Sequence, residues 1–170
     1  MGLFDKLFGK PGEFLPKVHA EDNDIVAPCD GELIDVKSLP DPMFAEELLG
    51  KSAAVRLTAD NVTICAPANG VLRALFPTGH AFGVETGEGV EILVHIGIDT
   101  VNSNGDGFKL CSKKIGDRVE AGDPIVKVDV KKLSAKYDMS TIVIITEDNG
   151  KSIEFLAPQK ISRGQSILKI

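Results

Sequence analysis

From Ile25 onward, apolar residues come in short runs, each closed by glycine, proline, asparagine or aspartate. The runs at 31–36, 53–57, 62–66, 71–76, 81–85, 90–96, 124–130 and 141–146 are rich in Val, Ile and Leu. Runs of that length and spacing predict strands joined by tight turns, and so an all-β antiparallel sandwich. Helix signals are few. Asp41 suits an N-cap, Pro42 the first helical position and Gly50 the end of the last turn, which predicts a helix over 43–49. A second short helix is expected over 131–137. Residues 1–23 have another texture: Leu3, Phe4, Leu7 and Phe8 make one helical stripe with Lys6 and Lys10 nearby. Glycines and prolines follow, then the polar run Glu21-Asp22-Asn23-Asp24. The chain thus divides into a flexible amphipathic leader and linker, 1–23, and a domain, 24–170. The leader admits two readings, a helix lying on an anionic membrane surface or a disordered tail.

The phrase Ile25-Val-Ala-Pro-Cys-Asp-Gly-Glu-Leu33 returns without gaps as Ile64-Cys-Ala-Pro-Ala-Asn-Gly-Val-Leu72. The segments 116–125 and 161–167 share a second turn-then-strand texture. Such phrases are typical of barrel-sandwich hybrid folds, so the repeat speaks for architecture and not for chemistry.

Charge narrows the partners. The chain of 170 residues carries 19 Lys+Arg against 25 Asp+Glu, a net −6. An acidic total argues against nucleic acid, which needs a basic face, but suits a basic protein partner. The strongest apolar run, Ile142–Ile145, is far short of a membrane span. Cys29, Cys65 and Cys111 are odd in number and never paired as C-x-x-C, so structural, reduced thiols are expected. The first residues lack the apolar core of a signal peptide, which adds to the expectation of a cytoplasmic protein.

Candidate chemistry concentrates in 80–95, where two strand-like halves flank Thr86-Gly87-Glu88-Gly89. A two-residue Gly87-Glu88 turn of type II′ would set His80 directly opposite His95. A three-residue loop would shift the register by one and send the rings to opposite faces. In the first register Val90, Ile92, Val94 and Ile96 face the core, while His80, Phe82, Val84, Glu91, Leu93 and His95 form a mixed outer row. Opposed rings could share one phosphate or metal; the bland alternative is two unrelated surface histidines. A neutral imidazole becomes a nucleophile when one nitrogen donates its proton to a fixed acceptor. The Gly97 carbonyl is placed to be that acceptor, and Thr78 to orient a ring. No P-loop or kinase-like set is present, so a nucleotide is not the evident phosphate donor.

The segment Gly89-Val-Glu-Ile-Leu-Val-His95-Ile-Gly-Ile-Asp-Thr-Val101 resembles the phosphohistidine signature of glucose-type enzyme IIA of the bacterial phosphoenolpyruvate-dependent sugar phosphotransferase system. The resemblance extends through Ala27-Pro28, Pro40-Asp41, Phe44-Ala45-Glu46, Ala66-Pro67, His80-Ala81-Phe82 and the leader 1–7, fading after Ile145. It implies that His95 takes a phosphoryl group from the carrier HPr and passes it to a cysteine of a permease IIB domain. It further implies that His80 contacts the phosphate and Thr78 supports the pair. By the same resemblance Met43, Phe44, Phe76, Phe82 and Leu93 form an apolar docking rim, and Asp41 and Asp99 face partner arginines. It also implies regulatory target proteins and membrane association of the leader. No cofactor is expected, except zinc held by His80 and His95 with a partner carboxylate in a regulatory complex. Pro42, often aliphatic in the family, and Gly79, often Asn, depart from the pattern.

Two other readings share the β texture. A lipoyl or biotinyl carrier needs a lysine at a hairpin tip, and Asp5-Lys6 lies in the leader instead. A lysostaphin-type zinc endopeptidase needs His-x-His, which His95-Ile96-Gly97 breaks.

Overall fold

A computed structural model of the chain describes residues 15–169. The stripe formed by Leu3, Phe4, Leu7 and Phe8 lies outside the described residues. The strands are β1 (Gly31–Ile34), β2 (Lys51–Arg56), β3 (Asn61–Cys65), β4 (Gly70–Leu75), β5 (Ala81–Glu85) and β6 (Glu91–Ile96). They continue with β7 (Phe108–Leu110), β8 (Arg118–Val119), β9 (Pro124–Asp129), β10 (Thr141–Glu147) and β11 (Gln159–Ile161). All the pairings are antiparallel: one sheet runs β11-β1-β2-β10-β6-β5-β4-β8, the other β3-β9-β7. The fold is the expected antiparallel sandwich, and it is not a closed barrel. β7, β8 and β11 were not among the predicted strands, being too short to show a period. Helix α1 (Pro42–Ala45) starts as expected, with the Asp41 carboxylate accepting from the Met43 N–H at 2.9 Å. It stops earlier because Glu47 sits at φ 54°, in the left-handed region where an α-helix cannot continue. Helix α2 (Val130–Ser134) is likewise shorter than its sequence signal.

Two apolar layers result. The main core lies between the sheets and joins Val55, Leu72, Phe82, Ile92, Val94 and Val143 of the large sheet to Ile64, Val126 and Val128 of the small one. A smaller layer, including Val36, Leu39, Phe44, Ile142 and Ile144, covers the outer face of the large sheet. It lies under the 3-10 turn Val36–Ser38 and α1, and it leaves part of β6 uncovered.

The repeated phrases pack against each other. Val26 N–H donates to Pro67 O at 2.7 Å, and Cys65 N–H to Pro28 O at 2.9 Å. The second pair of phrases closes on them in matched fashion, Gly164 N–H to Ala27 O at 3.0 Å and Gly122 N–H to Ala66 O at 2.8 Å. Asp30 accepts from Arg163 N–H at 2.7 Å where Asn69 accepts from Ala121 N–H at 2.8 Å. The repeat is therefore a local pseudo-twofold. Val18 sits on it: a Cβ on Gly122 would come 2.5 Å from Val18 Cγ2, and one on Gly164 2.6 Å from the same atom. The Pro16 and Ala20 carbonyls also accept, from Arg163 and Asn69. The linker from residue 15 is thus held on the domain.

The hairpin of β5 and β6 departs from the expected register. Ala81, not His80, pairs with His95, and Glu85 pairs with Glu91. The positive φ falls on Gly89, at 82°, and not on Gly87. Gly89 N–H donates to Thr86 O at 3.0 Å, and Thr86 N–H to Val90 O at 2.9 Å. That is a three-residue loop ending in a left-handed glycine, the arrangement that shifts pairing by one. Consequently Phe82 and Val84 turn into the main core, and small Ala81 and Gly83 take the outer positions beside His95 and Leu93. If this loop sets the register, Gly89→Ala will cost about 1 kcal/mol or more in urea unfolding, while Gly87→Ala, which has open space around it, will stay within about 0.5 kcal/mol of the parent. The reverse order would restore the two-residue turn.

Candidate functional site

His95 projects from β6 on the outer face, beside Ile142 of β10 and Ala81 of β5. Its Nδ1 lies 2.7 Å from the Gly97 carbonyl oxygen. A carbonyl can only accept, so Nδ1 carries the proton and Nε2 keeps a free lone pair. Gly97 can turn its carbonyl back because its φ is +76°. A Cβ there would come 2.5 Å from Thr100 Cγ2 and 2.9 Å from Met139 Sδ, so glycine is required on both counts.

The Gly97 backbone is itself clamped. Its N–H donates to Ser140 O at 3.0 Å, and Ile98 N–H donates to Asp138 O at 2.8 Å. The buried Thr100 hydroxyl donates to Ile96 O at 2.5 Å and secures the turn in which Asp99 adopts φ 62°. Asp138 accepts from Ser140 N–H at 2.9 Å and so shapes its own segment. Sequence reasoning missed Thr100 and 138–140. The Thr100 bond spans four residues inside an irregular turn, and the clamp is remote in sequence, so neither left a periodic signal.

His80 reaches the same place by another route. Its ring centroid lies 5.4 Å from that of His95, at 78° between planes. The shifted register would have separated strand-borne rings, but His80 precedes β5: its carbonyl still accepts from Ile96 N–H at 2.7 Å, while the loop after β4 that carries it brings its ring to His95. Gly79, at φ 78°, turns that loop, and its N–H donates to Phe76 O at 2.8 Å. Glycine enters this region without strain, which suits Gly79 to the turn. Thr78 Oγ1 lies 2.6 Å from His80 Nδ1. A hydroxyl can donate to that nitrogen or accept from it; when it donates, the His80 proton sits on Nε2, the tautomer complementary to that of His95.

The rings lie among aromatic groups, Phe44 5.0 Å from His95 and Phe76 5.1 Å from His80. Met43 and Phe76 stay 47% and 43% exposed, Leu93 is half-buried, and Phe44 is buried under the rim. Phe82 is the exception: it is fully buried in the main core, turned inward by the register shift, and presents no surface. Burial holds the His95 pKa below its ordinary 6.5; the Gly97 carbonyl, Asp41 and Asp99 pull the other way. Burial lowers His80 too, and His95 adds to the effect. Both rings are neutral at pH 7.

Such a pair offers one bare nitrogen, one N–H donor and an apolar surround with two carboxylates nearby. That is a set for moving a phosphoryl group between neutral nucleophiles. A metal is less well provided for. His80 and His95 supply two of the four ligands zinc takes, and no group of three or more His, Cys, Asp or Glu is gathered among the described residues. A partner carboxylate would have to join them. The cysteines stay apart from the site. Cys29 and Cys65 are buried, and burial pushes the Cys65 thiol up to about 12, far from a reactive thiolate.

Nitrogen-detected NMR on the full chain will find His95 as the Nδ1–H tautomer at pH 7.5, with both rings titrating below 6.5. Thr100→Val will mix the His95 tautomers, and Thr100→Ser will restore them. A dominant Nε2–H form of His95 in the parent would contradict this geometry.

The comparisons with known proteins converge on one group. Residues 23–151 match the family model described as phosphoenolpyruvate-dependent sugar phosphotransferase system, EIIA 1. A glucose-specific EIIA component of Staphylococcus epidermidis is 34% identical over 166 residues, 96% of this chain and 95% of its own length. A protein of the same description from Staphylococcus aureus is 35% identical with the same coverage. In a glucose-specific EIICBA component of Staphylococcus carnosus, 86% of this chain matches 21% of the longer protein at 33% identity. The solved glucose permease IIA of Mycoplasma capricolum superposes with a TM-score of 0.77 at 36% identity, covering 85% of this chain and 93% of that one. No helix of the described residues is long and apolar enough to cross a membrane. The chain belongs to the EIIA family of the phosphoenolpyruvate-dependent sugar phosphotransferase system.

Proposed function

We propose that the chain is a cytoplasmic phosphocarrier of sugar uptake whose His95 Nε2 accepts a phosphoryl group from phospho-HPr and passes it to the cysteine of a permease IIB domain. The observation that carries the reading is the 2.7 Å bond from His95 Nδ1 to the Gly97 carbonyl, which leaves Nε2 free on an uncovered face. In acceptance, the Nε2 lone pair forms the new N–P bond as the donor's own N–P bond breaks. The donor nitrogen keeps the released electron pair. No proton need move, because Nδ1–H stays on Gly97. In delivery a thiolate takes the phosphorus, and Nε2 recovers its lone pair.

His80 serves both steps from the side. With Thr78 holding Nδ1, its Nε2–H donates to a phosphoryl oxygen, and a protonated ring would add charge where charge develops. Phosphoryl transfer depends mainly on in-line placement and charge neutralisation. Met43, Phe76 and Leu93 exclude water around the rings when a partner docks, and Asp41 and Asp99 attract a basic partner surface. The permease partner fits the relative in which the matching segment is part of a longer EIICBA chain. Glucose is the substrate in the relatives' descriptions, and we extend it to this chain as the first sugar to try.

Incubation with phosphoenolpyruvate, enzyme I and HPr will place an acid-labile phosphate on the chain, and His95→Gln will abolish it. His80→Gln will still accept, because an amide can hold a phosphoryl oxygen, but will pass it on about 100-fold more slowly, since an amide, unlike the His80 ring, cannot take up a proton once a phosphoryl dianion sits beside it. Label on the His95→Gln protein, or normal onward transfer by His80→Gln, would defeat the proposal.

A further inference from the structure

On the small sheet, away from the histidines, one rung runs straight across three strands: Thr63 of β3 pairs with Lys127 of β9, which pairs with Lys109 of β7. Directly opposed residues hold their Cβ atoms about 5 Å apart, and like charges so placed repel. Neither lysine is in an ion pair among the described residues, in a chain where carboxylates outnumber cations 25 to 19. The rung lines a groove of about 660 Å³ that shares no residue with Thr78, His80, His95 or Gly97.

The groove lining carries three cations, Lys109, Lys127 and Arg163, against the carboxylates of Asp30 and Asp129, and the last three groups are tied to backbone. Asp30 accepts from Arg163 N–H at 2.7 Å, and Asp129 from Lys132 N–H at 3.0 Å. Arg163 in turn donates to the Gly122 and Pro16 carbonyls. Without a hydrogen bond to described residues are the side chains of the lysine pair and of a polar margin of Thr58, Asn61 and Thr63. Two ammonium groups at that spacing can converge on one dianionic phosphate, relieving their repulsion. Hydroxyl and amide groups alongside suit the hydroxyls of a polyol, and Phe108 walls one side.

We infer that this groove binds a phosphate monoester of a small polyhydroxylated molecule, of the sugar-phosphate class, through Lys109 and Lys127. The site lies outside the phosphotransfer reading and does not require it.

Titration of the full chain with glucose 6-phosphate, followed by amide NMR, will give saturable shifts at Thr63, Lys109 and Lys127. Inorganic phosphate will bind more weakly and glucose will give no shift. Lys109→Gln or Lys127→Gln will weaken the ester about tenfold or more without lowering the melting temperature, because each removes a repulsion. His95→Gln will bind as the parent does. Lack of saturation, equal shifts with glucose, unchanged affinity in the lysine variants, or loss of binding in His95→Gln would overturn the site. Inorganic phosphate binding as tightly as the ester would overturn the ester assignment.

Discussion

One hydrogen bond organises the histidine site: His95 Nδ1 to the Gly97 carbonyl, 2.7 Å long. An imidazole in water carries its proton on either nitrogen, and only one tautomer exposes a nucleophilic Nε2 to the surface. A carbonyl acceptor removes the choice. The acceptor must then be rigid, and the structure supplies that rigidity through the left-handed Gly97, the Thr100 hydroxyl and the backbone of Asp138 and Ser140. Burial keeps the ring neutral, and the carboxylates of Asp41 and Asp99 temper that effect. The site is thus electrostatically ready before a partner arrives.

The scaffold explains why such a site can face outward. The main core between the sheets, closed by the pseudo-twofold of Ala-Pro phrases, gives stability without help from the outer face of β6. That face is covered only partly, by α1 and the turn before it, which bring Phe44 against His95. The uncovered part is free to meet other proteins. Small Ala81 and Gly83 beside β6 leave room over the sheet for a ring that comes from the neighbouring loop.

Much of this was legible in the sequence. The strand runs, the N-cap at Asp41 and the repeat rest on local patterns that the structure bears out, and the Gly97 carbonyl lies 2.7 Å from His95 Nδ1. The meeting of the two histidines was anticipated for a reason that failed. The sequence pattern brings the rings together only with His80 within a strand and a two-residue turn; the loop has three residues, and His80 lies beyond the strand end. Asn149 donates to Glu88 O at 2.9 Å and lies against Gly89, contacts of the loop that a local pattern does not carry. The same slip misplaced Phe82, because a one-residue shift reverses every side chain on β5. Long-range clamps such as 138–140 on Gly97 had no local signature at all.

If one hydrogen bond selects the atom that carries phosphate, that atom is His95 Nε2. Phosphorus–nitrogen correlation NMR on the chain phosphorylated through enzyme I and HPr reads that atom directly. The expected result is a phosphorus coupled to His95 Nε2 while Nδ1 still carries its proton. Phosphorus on Nδ1 of His95, or on His80, would contradict it.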